Sequence, residues 1–277
     1  MGLSVNANIS ALVALQNLNA TNRALDTSQN RVNTGLKVAG AKDNSSVYAI
    51  AQNARSDVGA LNAVKQSVQR AVSIVDVSIA AGESVSNLLV EMKQKALAAD
   101  DSSLDPTSRQ ALDGDFQALL QQIQTVVGNA TFDGINLLDG SSAGGFTVLA
   151  DADATNNITV QDEDLSVGGA ILTLPPGSDL LSPANASAAL GALDTSIQNV
   201  NAALARLGSA GKKLEQHLTF VGKFQDALNG AIGNMVDADL AAESASLQAL
   251  QVKQQLGIQA LSIANARPQL VLTLLRG

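Results

Sequence analysis

Residues 61–99 read "LNAVKQSVQRAVSIVDVSIAAGESVSNLLVEMKQKALAA". Leu61, Val64, Val68, Ala71, Val75, Ser78, Gly82, Val85, Leu89, Met92, Ala96 and Ala99 recur at spacings alternating between three and four, the stripe of a coiled-coil seam. Only Ser78 and Gly82 interrupt it. The spacing predicts a helix over about 57–100, roughly 65 Å long at ~1.5 Å per residue. A helix of that length with one apolar face needs a partner of similar length.

The partner is legible further along. Leu190, Leu193, Ile197, Val200, Leu204, Leu207, Gly211, Leu214, Leu218, Val221, Gln225, Leu228 and Ile232 repeat the same spacing. Between the two, "SLDPTSRQ" opens a shorter helix, with Asp105 as N-cap and Pro106 at the first helical position. Its apolar face reads Leu112, Phe116, Leu119, Ile123 and Val126.

Both ends of the chain repeat the pattern in diluted form. Near the N-terminus Leu18, Leu25 and Val32 form one heptad column beside Leu15, Asn22, Gln29 and Leu36. Near the C-terminus the column is Val236, Leu240, Glu243, Leu247, Leu250, Gln254, Gly257, Leu261 and Ala264. Seams carrying this much Asn, Gln, Glu and Gly are expected to be marginal as isolated pairs, because helix stability comes mainly from packing the apolar face.

Only residues 128–185 lack helical periodicity. "NATFDGINLLDGSSAGG" is turn-rich, and "FTVLADADATNNITVQ" reads as strand, turn, strand. "GGAILTLPPGSDLLSP" is expected to add one more extended piece, broken by Pro175 and Pro176. The fold class expected is mainly α: a long antiparallel α-helical coiled-coil bundle with a small mid-chain β-hairpin, and terminal helices forming a separate coiled-coil domain.

Composition narrows the function. At 46% hydrophobic residues the chain is built to fold, yet only 2% are aromatic, which suits thin Ala/Leu/Val/Ile seams better than a deep interior. Cysteine is absent, so thiolate chemistry and Cys-ligated zinc are excluded. A net charge of −8 with no Lys/Arg cluster argues against nucleic acid. No stretch reaches the ~18 unbroken apolar residues of a membrane span, so no membrane is expected. The start "MGLSVNANISALVALQNLNATNRAL" lacks the basic and apolar regions of a signal peptide.

Candidate chemistry is sparse. His217 is the lone histidine and flanks the seam position Leu218, which favours a structural role. Asp237 and Asp239 suit a helix start, where carboxylates favour the dipole. "DADATNNITVQD" places Asp151, Asp153, Thr155, Asn157, Thr159 and Asp162 at the ligand spacing of a calcium loop, but Asn156 stands where Gly is demanded. An exposed hairpin turn fits it better. No catalytic site, cofactor or metal is expected.

Three motifs now stand together: "RVNTGLKVAGAKDNSSVYAIAQ" at 31–52, "NATFDGINLLDG" at 129–140 and "MVDADLAAESASLQALQVKQQLGIQALSIANARPQLVLTLLRG" at 235–277. They resemble, in order, the N-terminal stretch, the Phe-Asn/Asp-Gly turn and the C-terminal signature of bacterial flagellin, in the short form found in alphaproteobacteria, with Ala266 replacing the family's usual Gln. The likeness spans about 1–140 and 186–277, and "FTVLADADATNNITV" is similar to the hairpin on the family's rod domain.

That resemblance implies a structural subunit that self-assembles into the helical flagellar filament used for motility, and no enzyme. It implies a homopolymer, open to other flagellin paralogues, together with an export chaperone and filament cap and junction proteins. Secretion to the extracellular flagellum would proceed without a cleaved signal peptide, by the flagellar type III pathway. The expected domains are 1–40 and 236–277 for the inner tube, 41–139 and 186–235 for the rod, and 140–185 for the hairpin and variable insert. Polymerisation seams fall on Leu15, Leu18, Leu25, Val32, Leu36, Val236, Leu240, Leu247, Leu250, Leu261 and Ala264. The rod seam falls on Leu61, Val68, Val75, Leu89, Met92, Leu193, Ile197, Leu204 and Leu218.

Ser141, Ser142, Thr155, Ser166, Thr173 and Ser178 are expected to face outward and accept O-linked sugar, as the family often does. Flagellins sensed by the innate immune receptor commonly carry, in the helix through "LVEMKQKALAA", an Arg and four residues later a Leu. The matching positions hold Glu91 and Lys95, which implies a poor agonist; read as residues alone, the two make an i, i+4 ion pair. Alternatives are a hook–filament junction protein with similar termini and a coiled-coil adaptor forming a discrete oligomer.

Overall fold

The computed structural model describes residues 8–276, with side chains through Ala266; the N-terminal residues 1–7 and the side chains of the closing signature from 267 on lie outside it. Five helices dominate: α1 Ile9–Thr34, α2 Ser45–Ala99, α3 Pro106–Asn129, α4 Pro183–Val236 and α5 Leu240–Arg276. Four short strands, β1 Thr131–Phe132, β2 Ile135–Asn136, β3 Phe146–Leu149 and β4 Asn157–Val160, form two antiparallel hairpins. The described residues divide into two compact units, one made of 8–56 with 227–276 and the other of 57–226.

In the second unit the two long stripes meet antiparallel. Gln225 Nε2 donates to the Val58 carbonyl and to Asn62 Oδ1, Val75 faces Gly211, Leu204 faces Gly82, and Lys93 pairs with Asp194 at 2.5 Å. Rising residue numbers on α2 thus match falling ones on α4. Leu61, Val68, Val75, Leu89 and Met92 are buried, as is Leu193. By length and composition α2 could cross a bilayer, which the expectation of no membrane-length stretch did not anticipate; within this unit its apolar positions form a buried ladder.

Both apparent interruptions of the α2 stripe have a use. Leu204 Cδ2 lies 2.7 Å from where a Cβ on residue 82 would stand, so Gly82 is the hole for that knob. Ser78 is buried with its hydroxyl returned to the Ile74 carbonyl.

On α4 the expected seam shifts. Leu193, Val200, Leu207, Leu214 and Val221 are buried, but the accompanying column runs through Ser196 and Ala203, leaving Ile197, Leu204 and Leu218 half-buried. The insert causes this by occupying the same face: Thr173 N–H donates to Ser196 Oγ, and Asn199 Nδ2 donates to the Ile171 carbonyl. On α3 the buried line is Arg109, Phe116, Leu120, Ile123 and Val127; Leu120 and Val127 take the places expected of Leu119 and Val126, and Leu112 is half-buried. Arg109 explains the offset. Its Nε donates to the Ala99 carbonyl and its Nη2 to the Asp101 carbonyl, capping the end of α2 from the first turn of α3.

The extended piece expected over 168–183 is irregular, yet Leu172, Leu174 and Leu180 are buried. A fork fixes the insert: Arg206 Nε and Nη2 donate to both oxygens of the buried Glu163 at 2.6 Å. His217 Nε2 donates to the Ala150 carbonyl at 2.8 Å, tying α4 to the β3–β4 turn.

Candidate functional site

The other unit presents a different surface. Asn8 caps α1 by accepting from the Ala11 N–H, while its Nδ2 donates to the Ala264 carbonyl at 2.8 Å. Leu18 lies over Gly257, Cδ1 3.2 Å from the site of an added Cβ. Gln254 Nε2 donates to Asn22 Oδ1 at 2.8 Å. Ser28 Oγ and Arg31 Nη1 both donate to the Glu243 carboxylate, each at 2.8 Å. Asn22, Glu243, Gln254 and Gly257, four of the positions that dilute the two terminal stripes, therefore face the opposing helix in an antiparallel register. Asn22 meets Gln254, and Glu243 meets Arg31. A hydrophobic pair slides easily, whereas a register slip here would strand partly buried polar groups.

Charge tightens the same contact. The Arg31 guanidinium, and after it the Ser28 hydroxyl, hold the Glu243 carboxyl below the usual carboxylate range.

The turn beyond the pair corrects two expected seam positions. Gly35, in the left-handed conformation at φ 72°, ends α1, so Leu36 lies past the helix in an isolated bridge with Asp237. Val236 is the last residue of α4, not part of the final helix, and its carbonyl accepts from the Lys37 and Val38 N–H groups. Asp239 accepts from the Ala241 and Ala242 N–H groups and caps α5.

Burial is the decisive property of this unit. Of the helical seam positions, Leu25 and Ala264 are buried, Leu18, Val32, Leu247, Leu250 and Leu261 are half-buried, and Leu15 and Leu240 are exposed. Further apolar residues lie in the open: Ile9, Leu12 and Val13 on α1, and Val252, Leu256, Ile258 and Ile263 on α5. Ile9 is 69% exposed and Ile263 66%. Reading a single stripe missed these residues. The signal available was apolar content around the whole helix circumference, which marks a helix covered on more than one side. An apolar face this large can bind protein, and it assembles no nucleophile, base or metal ligand set among the described residues.

Comparison with known proteins meets this geometry. The family model "Bacterial flagellin N-terminal helical region" matches residues 5–143, and "Bacterial flagellin C-terminal helical region" matches 190–275. The chain belongs to the bacterial flagellin family. Flagellin FljK of Caulobacter vibrioides is 48% identical over 273 residues, 99% of this chain and 98% of the relative. Flagellin FljJ of the same organism is 48% identical over the full length of both chains. A flagellin of Brucella melitensis is 32% identical over 99% of each. Family members are structural rather than catalytic, and they build the extracellular flagellar filament. This flagellin is a subunit of such a filament.

The remaining predicted positions distribute unevenly. Glu91 is exposed, but Lys95 turns to Asp115 of α3 at 2.6 Å, so the expected i, i+4 pair is replaced by one between helices. Ser141 and Thr155 are exposed, with their hydroxyls donating to Asp139 and Asp151. The Asp151 carboxylate also accepts from Asn156 N–H and Nδ2, so the calcium-like stretch is a self-capped turn. Ser142, Ser166 and Ser178 are half-buried. Thr173 departs from the outward expectation, because its Oγ1 donates to the Ala192 carbonyl against α4.

Proposed function

We propose that the α1/α5 pair is the assembly surface, and that neighbouring copies cover its exposed apolar faces in the filament. The observation supporting this is the coexistence of a polar-pinned register with open Ile9, Leu12, Leu256 and Ile263. Contacts of the heterologous kind extend such a surface into an open helix. In the exported monomer these helices are only marginally ordered and gain their remaining burial on incorporation. Deleting 1–36 or 240–277 therefore abolishes polymerisation while most helical circular dichroism survives, since the 61–99 and 193–225 ladders are untouched. A truncated chain that still forms filaments in electron micrographs would falsify this.

The same reading assigns export through the flagellar type III pathway without a cleaved signal peptide, an export chaperone, cap and junction proteins as partners, and no catalysis. Coassembly with related flagellins is supported by the two similar Caulobacter vibrioides proteins. O-linked sugar is assigned to Ser141, Ser142 and Thr155, and an intact mass equal to the sequence mass would remove it. Weak activation of the innate receptor is assigned to Glu91 and Lys95. Full potency of the unmodified monomer in a cell reporter assay would sink that assignment.

A further inference from the structure

Helix α5 runs from Leu240 to Arg276 and carries Pro268 well inside it. In an α-helix the N–H of residue 268 would donate to the carbonyl of residue 264, and proline has no N–H to give. The Ala264 carbonyl therefore loses its regular helical donor. Ala264 is only 8% exposed, so water is a poor substitute, and a carbonyl left unpaired there would destabilise the helix. The donor comes from α1. Asn8 Nδ2 reaches the Ala264 carbonyl at 2.8 Å.

The same side chain starts its own helix. Asn8 is the N-cap of α1, and its Oδ1 accepts from the Ala11 N–H at 3.1 Å. Ser, Thr, Asp and Asn all serve at a helix N-cap, but of the four only Asn has an acceptor and a separate N–H donor on one planar group. Asp has no donor, and the single hydroxyl of Ser or Thr sits one bond closer to the backbone. Both ends of the Asn8 amide are thus specified, the acceptor by α1 and the donor by α5. The contact lies in the antiparallel register already set by Leu18 over Gly257 and Gln254 to Asn22. Beside it Ile9 and Ile263 stay largely in the open, so apolar burial contributes little at this end of the pair and the hydrogen bond carries the contact.

We infer that Asn8 and Pro268 form a latch that makes the ordering of the two terminal helices mutually dependent. Pro268 leaves α5 incomplete at Ala264, and Asn8 completes it only when α1 begins at Asn8 and lies in register. Helix α5 cannot satisfy its backbone there without α1, and Asn8 has no place for its donor without α5. Asn8 is in this sense a positioning residue for assembly. The consequence for assembly rests on the reading of the α1/α5 pair given above: a subunit presents that surface whole or not at all.

A double-mutant cycle in the full-length chain tests the latch. Asn8→Asp keeps the cap acceptor and suits the positive end of the α1 dipole, yet removes the donor. Asn8→Ser keeps the cap without adding charge. Each raises the critical concentration for polymerisation roughly fivefold to tenfold, the effect of one buried carbonyl left unpaired. Pro268→Ala returns an N–H to the Ala264 carbonyl, and in that background the same two substitutions change the critical concentration by less than about twofold. Pulsed hydrogen exchange on the soluble chain reads the coupling without filaments. There Asn8→Asp lowers the protection of amides 9–13 and 260–267 together, by about fivefold, and only while Pro268 is in place. Unchanged thermal unfolding of the 57–226 unit confirms that each variant folds. Equal effects of the Asn8 substitutions with and without Pro268→Ala would reduce Asn8 to an ordinary cap and overturn the inference, as would the absence of any effect with Pro268 in place. A parent chain that forms no filaments would instead overturn the assembly reading, and the exchange cycle would still decide the latch.

Discussion

The helix pair of the 57–226 unit and the α1/α5 pair use the same three-and-four spacing and reach opposite states of completion. In the former, Val68, Val75, Leu89, Met92, Leu193, Val200 and Leu214 are sealed, and even a glycine in the stripe is filled by a neighbour's leucine. In the latter, two polar contacts and an ion pair set the register while large aliphatic residues stay in water. The difference teaches that a heptad pattern reports where a seam runs, not whether one chain closes it. A finished seam stabilises the subunit; on the reading proposed above, an unfinished one reserves its burial for association.

The largest expected effect comes from emptying the buried core of the 57–226 unit. Phe116→Ala removes a fully buried ring and lowers stability by about 3–5 kcal/mol in urea unfolding. Leu256→Ala, at a residue 57% exposed, shifts monomer stability by less than ~0.5 kcal/mol yet raises the critical concentration for assembly. Equal monomer losses at both sites would erase the contrast. Next, Gly82→Leu drives a side chain into the space of Leu204 and costs about 1–3 kcal/mol through overpacking. A Tm equal to that of the parent would show that this seam has slack.

A smaller effect, set by pH, belongs to the open pair. Because the Glu243 carboxyl is held below its ordinary range by Arg31 and then Ser28, its contribution is complete above that ordinary range and is lost as pH falls through the lowered folded value. Glu243→Gln weakens the pair at neutral pH by about 1 kcal/mol, tempered by solvent at a partly exposed site. It also removes the acid-dependent part of filament stability. Identical acid disassembly of parent and variant, followed by light scattering, would place the sensitive group elsewhere. The subtlest effect on assembly is expected from Asn22→Leu with Gln254→Leu. Folding stability changes by no more than ~1 kcal/mol, but a freed register gives filaments of mixed order. Helical diffraction as sharp as that of the parent would rule out a register role for this pair.

Much of this protein was legible in one dimension. Periodicity located α2 and α4, Asp105 with Pro106 marked the start of α3, the Asp/Asn-rich turn placed the β3–β4 hairpin, and the terminal motifs pointed to the family. Those signals are local: capping, turn chemistry and side-chain spacing act within a few residues of one another. Tertiary structure alone decided the rest. It moved the second column of α4 onto Ser196 and Ala203 because the insert packs there, rotated α3 to bring Arg109 onto the end of α2, and drew Lys95 away from Glu91 to Asp115. It also turned Asn22, Glu243, Gln254 and Gly257 from blemishes in two stripes into the contacts that align them. Each of these outcomes depends on residues far apart in the chain competing for one face of a helix, a contest that spacing within a single helix does not record.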